Sequence, residues 1–255
     1  GYVGTAVGPR AFSGTPRILA ELLHLISFLL LWNFQITGNY GFYFAAIFIA
    51  GLGLLSSKFF AQIILFFSII MAFINQSVLL FFFPIFAMLI STIISKGHYL
   101  KIFSDQIGHL TLYFKKLMHV HDAVKNRNKL FKIKTFRDIK MLTMVHNTYL
   151  QLIVKFSLSV LSIFLGYILV QKDLSMLFIY SWLISSFIVF FLTSIRSLLF
   201  LGEAERYLEY SVFPAFFIFS GFLNQVNKTS IYEVLSFYLF FLTILSLIIY
   251  IFSLI

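Results

Sequence analysis

The sequence predicts an all-α, polytopic helical membrane protein with about eight transmembrane helices and one interfacial amphipathic helix. Three observations carry that prediction. The 255 residues are 60% hydrophobic and 11% charged, with a mean hydropathy of +0.97, whereas soluble domains carry about 25% charged residues. The apolar runs are continuous, without the alternation of polar and apolar positions that marks the strands of a membrane barrel. Polar residues gather in short turns between the runs and in one long basic segment. The absence of cysteine excludes disulfides, thiolate metal sites and thiol catalysis. With four prolines and no Gly-rich tract, fibrous and low-complexity classes are excluded as well.

Residues 1–17 read as a loop of glycine and small residues carrying Arg10 and Arg17. The chain opens on Gly1, and its first residues lack the basic start and apolar stretch of a signal peptide, so the expectation is a fragment of a longer protein. Apolar runs follow at 18–34, 40–55, 60–74, 78–94, 149–170, 174–195, 210–223 and 231–255. Several are shorter than the ~20 residues that cross a hydrocarbon core, so flanking residues must contribute. The stretch 60–94 is too long for one span, and Asn75, Gln76 and Ser77 at its middle predict a polar turn between two short helices. The organisation expected is a loop with a four-span unit over 1–95, a basic surface segment over 96–147, and a second four-span unit over 148–255.

Most of the net charge of +10 lies in that middle segment, where eleven lysines and arginines face only Asp105, Asp122 and Asp138. Such a segment fixes orientation through the positive-inside rule and meets anionic headgroups of the bilayer. It lacks a recognisable nucleic-acid module, so no nucleic-acid partner is expected. Tyr99, Phe103, Ile107, Leu110, Phe114 and Leu117 recur three and four residues apart, predicting an amphipathic helix on the bilayer surface.

Eight spans alternate sides, whatever the absolute orientation. The N-terminal loop, the turn around Lys58, the basic segment and the turn from Arg196 to Tyr210 then share one face, and only short turns such as QITGN, NQS and QKD reach the other. A site for a polar or anionic substrate is expected on the shared face. The turn RSLLFLGEAERYLEYSVFPAFF is its richest part, with Arg196, Glu203, Glu205, Arg206, Tyr207, Glu209 and Tyr210 between two spans. Charges near a bilayer are costly unless paired or hydrated, and often mark substrate pathways. Glu203 stands three residues before Arg206, a spacing that allows a helical ion pair. An ordinary hydrated loop is one reading. The other has Arg206 gripping an anionic group while a carboxylate contacts hydroxyls or acts as a base.

The string ERYLEYSVFPAF resembles a segment of membrane glycosyltransferases of the GT-C superfamily, in which an acidic, Arg-aromatic turn leads into a span with proline a few residues on. Here those positions are Glu205, Arg206, Tyr207 and Pro214. LLSSKFF with Lys58 is similar to the Ser/Thr-Lys turn that ends a span in that superfamily, and GPRAFSGTPR with Arg10 and Arg17 fits its polar loops. The resemblance covers about two thirds of the chain as architecture and about twenty residues as motif.

It implies transfer of a sugar from a polyprenyl-phosphate-linked donor, work in bacterial surface polysaccharide or glycolipid assembly, and a place in the cytoplasmic (inner) membrane. It also implies a catalytic acid upstream of residue 1, leaving Glu205 or Glu203 as the acids of this chain to consider. Arg10, Arg17, Lys58, Arg196, Arg206 and Tyr207 are then the candidates for lipid-phosphate and substrate contacts. No cofactor is expected of this segment, and a divalent metal is allowed only for the full-length protein. The alternatives are a transporter or flippase of a lipid-linked saccharide, or a polysaccharide polymerase. The positive-inside rule puts the shared face in the cytoplasm, whereas the family's site is usually extracytoplasmic.

Three lesser features complete the sequence. His119, His121 and Asp122 lie in the basic segment, and histidines two apart point to different helix faces, so no metal site is expected. His24 stands three residues from Glu21 in an apolar run, and a locally satisfied polar pair is favoured there over a proton relay. No phosphate-binding loop or dinucleotide fingerprint is present.

Overall fold

The computed structural model describes residues 16–112, 114–115, 156–195, 198, 201 and 204–225, which are helical or in turns throughout, with no strand among them. The elements are α1 (Pro16–Thr37), α2 (Tyr40–Ser56), α3 (Lys58–Asn75), α4 (Val78–Ile94), α5 (His98–Leu112), α6 (Ser157–Lys172), α7 (Leu177–Ser194), the six-residue α8 (Ala204–Glu209) and α9 (Val212–Gln225). A 3-10 turn, Leu174–Met176, leads into α7.

The breaks between helices follow local chemistry. Asn39 caps α2 by accepting a hydrogen bond from Gly41 N at 2.8 Å, after Gly38 turns the chain at φ 68°. Ser57 ends α2 and caps α3, its hydroxyl oxygen accepting from Phe59 N at 3.3 Å. The predicted break at 75–77 is present: Gln76 adopts the left-handed region at φ 50° and Ser77 starts α4. Lys96 and Gly97, at φ 52° and 87°, turn the chain from α4 into α5.

Contacts along the helices make the bundle antiparallel. At one end, Trp32 Nε1 donates to Ser175 O at 3.3 Å, Tyr43 Oη donates to Leu79 O at 2.9 Å, and the Phe34 and Tyr43 rings lie 5.2 Å apart. At the other, Ser211 and Ser159 share a hydroxyl hydrogen bond of 2.8 Å, and the rings of Phe59 and Tyr207 lie 4.8 Å apart. Helices α1, α3, α6 and α9 therefore run from the second end to the first, and α2, α4 and α7 run back.

Small residues let the helices approach. Ala46, Ala50 and Gly53 of α2 are buried, and a Cβ at Gly53 would strike the ring of Phe60. Helix α7 buries Ser181, Ser185, Ser186, Thr193 and Ser194 on an otherwise apolar helix. Each hydroxyl donates to a carbonyl three or four residues earlier, so none of these donors is left unsatisfied. Asn75 uses both amide protons, one on Met71 O at 2.8 Å and one on Ser181 Oγ at 2.7 Å, tying α3 to α7.

Large apolar side chains also remain outside the core. Phe44, Phe73, Ile93, Phe164 and Leu174 are each about two thirds exposed or more, on a surface where water would oppose them. Among the described residues, two helices are long and apolar enough to cross a membrane, Ile18–Thr37 and Leu174–Ser194. The apolar helices at 40–56, 59–75, 78–94, 157–172 and 212–224 are 17 residues or shorter. The expected run at 231–255 and the start of the run at 149–170 lie outside the described residues.

Helix α5 differs from its predicted register. Tyr99 is buried and Phe103 packs against the core, but Ile107 and Phe114 are 50% and 45% exposed. Gln106, half-buried, takes the inward position that Ile107 was expected to hold. Residues 99, 103, 106 and 110 form the inward stripe, because the seam against α4 and the α2–α3 turn selects one narrow face of the helix.

Candidate functional site

Chain direction brings two of the predicted turns together. Helix α7 ends near Ser194, and the chain returns through α8 to the start of α9 at the end of the bundle where α2 gives way to α3. There α8 lies against the first turns of α3. Tyr207 is fully buried, its ring 4.8 Å from Phe59 and 6.5 Å from Phe66. Its hydroxyl is 3.0 Å from Leu201 O and 3.4 Å from Gln62 Oε1, and donates its one proton toward these acceptors. Burial pushes the Tyr207 phenol above its ordinary value, while the neighbouring Arg206 guanidinium opposes that shift.

Arg206 is half-buried, with its guanidinium carbon 6.0 Å from the centroid of the Phe59 ring, at the outer range of a cation–π contact. A guanidinium matches planar and tetrahedral anions through its donor fork. Lys58 immediately precedes Phe59 and opens α3, so its backbone stands at this junction. Arg17 lies in the first turn of α1, about 10 Å along the axis before His24 at 1.5 Å per residue. His24 itself touches Phe60 and Tyr210, which puts the start of α1 at the same end. The backbones of residues 17, 58 and 206 therefore stand at the same end of the bundle.

The other predicted site residues are placed less fully. Glu205 lies in α8 and only its backbone position is described. Arg10, Arg196 and Glu203 lie outside the described residues, as do His119, His121 and Asp122. The suggested pairing of Glu203 with Arg206 falls there too. Among the described residues no group of three metal-ligating side chains occurs.

Two site residues, Phe59 and Gln62, were not singled out from the sequence. Phe59 supplies the ring beneath Arg206, and Tyr210 closes the junction on the α9 side, 6.5 Å from Phe59. Gln62 meets Tyr207. Gln62 did carry a signal, as the one amide in the apolar run 60–74; Phe59 is one of 35 phenylalanines and carried none.

His24 corrects an expectation. It makes no hydrogen bond to Glu21, since both its ring nitrogens are buried without a hydrogen-bonding partner. Five aromatic rings surround it instead: Phe28 at 4.1 Å, Tyr210 at 4.7 Å, Trp182 at 5.4 Å, Phe67 at 5.8 Å and Phe60 at 6.3 Å. The cause is helix packing, which carries the imidazole toward α3 and α7.

No family model, no curated protein and no solved structure matches the chain.

Proposed function

We propose that this chain is the membrane-embedded part of a GT-C-like glycosyltransferase, which moves a sugar from a polyprenyl-phosphate-linked donor during bacterial surface polysaccharide or glycolipid assembly. In this reading the bundle lies in the cytoplasmic membrane with about eight spans. The shorter helices cross with help from their flanking turns, the exposed phenylalanines face lipid, and the basic segment meets anionic headgroups.

The observation that carries the reading is the junction of α8 with the start of α3. It sets Arg206 over Phe59 and beside the Lys58 turn, at the same end as the start of α1. Cationic residues from separate turns at one end of an apolar bundle suit a phosphate that arrives from the bilayer on a lipid tail. Arg206 binds the carrier phosphate, with Arg10, Arg17, Lys58 and Arg196 as further contacts, and Tyr207 positions Arg206 by anchoring α8. In the transfer, the anomeric carbon leaves the carrier phosphate oxygen and bonds to an acceptor hydroxyl. The hydroxyl proton passes to a carboxylate. Glu203 and Glu205 are the acids of this chain nearest to Arg206 in sequence.

The test is Arg206→Ala in the full-length protein, assayed for sugar transfer from a polyprenyl-phosphate donor. Losing charge-assisted hydrogen bonds of about 1.5–3 kcal/mol lowers turnover at least about tenfold, with insertion and abundance unchanged. Normal turnover in that variant refutes the assignment. Movement of lipid-linked sugar across the bilayer with no glycosidic bond formed favours a flippase instead.

A further inference from the structure

At the same end of the bundle, on the α5 side, lies a second polar feature. Leu54, Leu55, Ser56 and Ser57 of the α2–α3 turn and Ile102, Asp105 and Gln106 of α5 enclose an open pocket of about 360 Å³, within the range of small-ligand sites. Its polar groups have unused hydrogen-bonding capacity. Ser56 donates its proton to Gly53 O at 2.7 Å and keeps its oxygen as an acceptor, while Ser57 accepts from Phe59 N and keeps its proton to donate. The Asp105 carboxylate and the Gln106 amide make no hydrogen bond or ion pair among the described residues.

We infer that this pocket binds the neutral, polyhydroxylated head of an amphiphile, a saccharide ring in the first instance. Each sugar hydroxyl both donates and accepts. The pocket offers several acceptors, from Asp105, Gln106 and Ser56, together with donors from Gln106 and Ser57. A carboxylate takes two neighbouring hydroxyls at once, and the same negative charge disfavours a phosphate at this spot. Leu54, Leu55 and Ile102 give the apolar side that meets the C–H face of a ring or the first carbons of a lipid tail. The proposal rests on the membrane placement and sugar chemistry proposed above. It adds a subsite for a neutral glycan at the same end of the bundle as the Arg206 junction.

The experiment measures equilibrium binding to the full chain in nanodiscs, with glucosyl-diacylglycerol, phosphatidylethanolamine and phosphatidylglycerol as lipid probes and methyl glucoside as a soluble one. Glucosyl-diacylglycerol should bind saturably, and Asp105→Asn and Gln106→Leu should each weaken it about tenfold. Lys101→Ala, on the exposed side of α5, should leave it within about twofold. Asp105-dependent binding of methyl glucoside supports the same chemistry and identifies a free saccharide as a ligand source. Unchanged affinity in both pocket variants, or stronger Asp105-dependent binding of phosphatidylethanolamine, overturns the proposal. The two readings can fail separately. Asp105-dependent glycolipid binding without any sugar transfer leaves this site standing and removes the transferase. Sugar transfer with binding unchanged in Asp105→Asn does the reverse.

Discussion

Phe59→Leu perturbs the α8–α3 junction while keeping most of the apolar bulk. Phe59 stacks on Tyr207 at 4.8 Å and lies 6.0 Å beneath the Arg206 guanidinium. An aromatic pair contributes about 0.5–1.5 kcal/mol beyond its buried area, and a partly exposed cation–π contact about 0.5–1 kcal/mol. Leucine keeps the area term and loses both of these, so α8 should be held about 1–2 kcal/mol less firmly. That corresponds to about a 5–30-fold rise in the population of the detached turn. Hydrogen exchange reads this directly: amides of residues 204–210 should lose protection by that factor, while those at the start of α4, at the opposite end of the bundle, should keep theirs. Unchanged exchange at 204–210 would refute the account of the junction. A uniform loss across all helices would show that Phe59 supports the whole bundle and has no special role at α8.

Two further predictions concern the ends of the bundle. Removing the Asn75 to Ser181 hydrogen bond should show a coupling of about 0.6 kcal/mol, and no more than about 1.7, in a double-mutant cycle of Asn75→Leu and Ser181→Ala measured by unfolding in mixed micelles; zero coupling would mean the bond does not form. The raised pKa of Tyr207 predicts an alkaline weakness. Its buried phenol stays protonated in the folded chain, so its contribution is intact below the ordinary value of about 10 and is lost as pH rises past it. Tyr207→Phe should therefore flatten stability above that pH, read by helix content against pH, and an identical alkaline slope in the variant would contradict the assignment.

Much of the bundle was legible because helix ends are local. Asn75, Gln76 and Ser77 interrupt two apolar runs with polar residues, and Ser57 caps α3, so the breaks follow from residues within one turn of each other. The shared end for the Lys58 and Arg206 turns was legible through parity alone. Partners contributed by distant segments were not. His24 has Glu21 three residues away in sequence, yet besides Phe28 of its own helix its ring neighbours come from α3, α7 and the turn before α9. On α5, Tyr99, Phe103 and Leu110 turn inward as read, but Gln106 replaces Ile107, because repeated apolar residues on a short amphipathic helix permit two overlapping stripes and only the neighbouring α2–α3 turn selects between them.

The account depends most on a membrane-crossing bundle whose functional turns share one side. The chain has no native cysteine, so single cysteines at positions 58, 206, 76 and 173 can be labelled with an impermeant maleimide from each side of sealed vesicles. The account predicts that 58 and 206 label from one side only, and 76 and 173 only from the other. Labelling of 58 and 206 from opposite sides, or of all four from the same side, would contradict it.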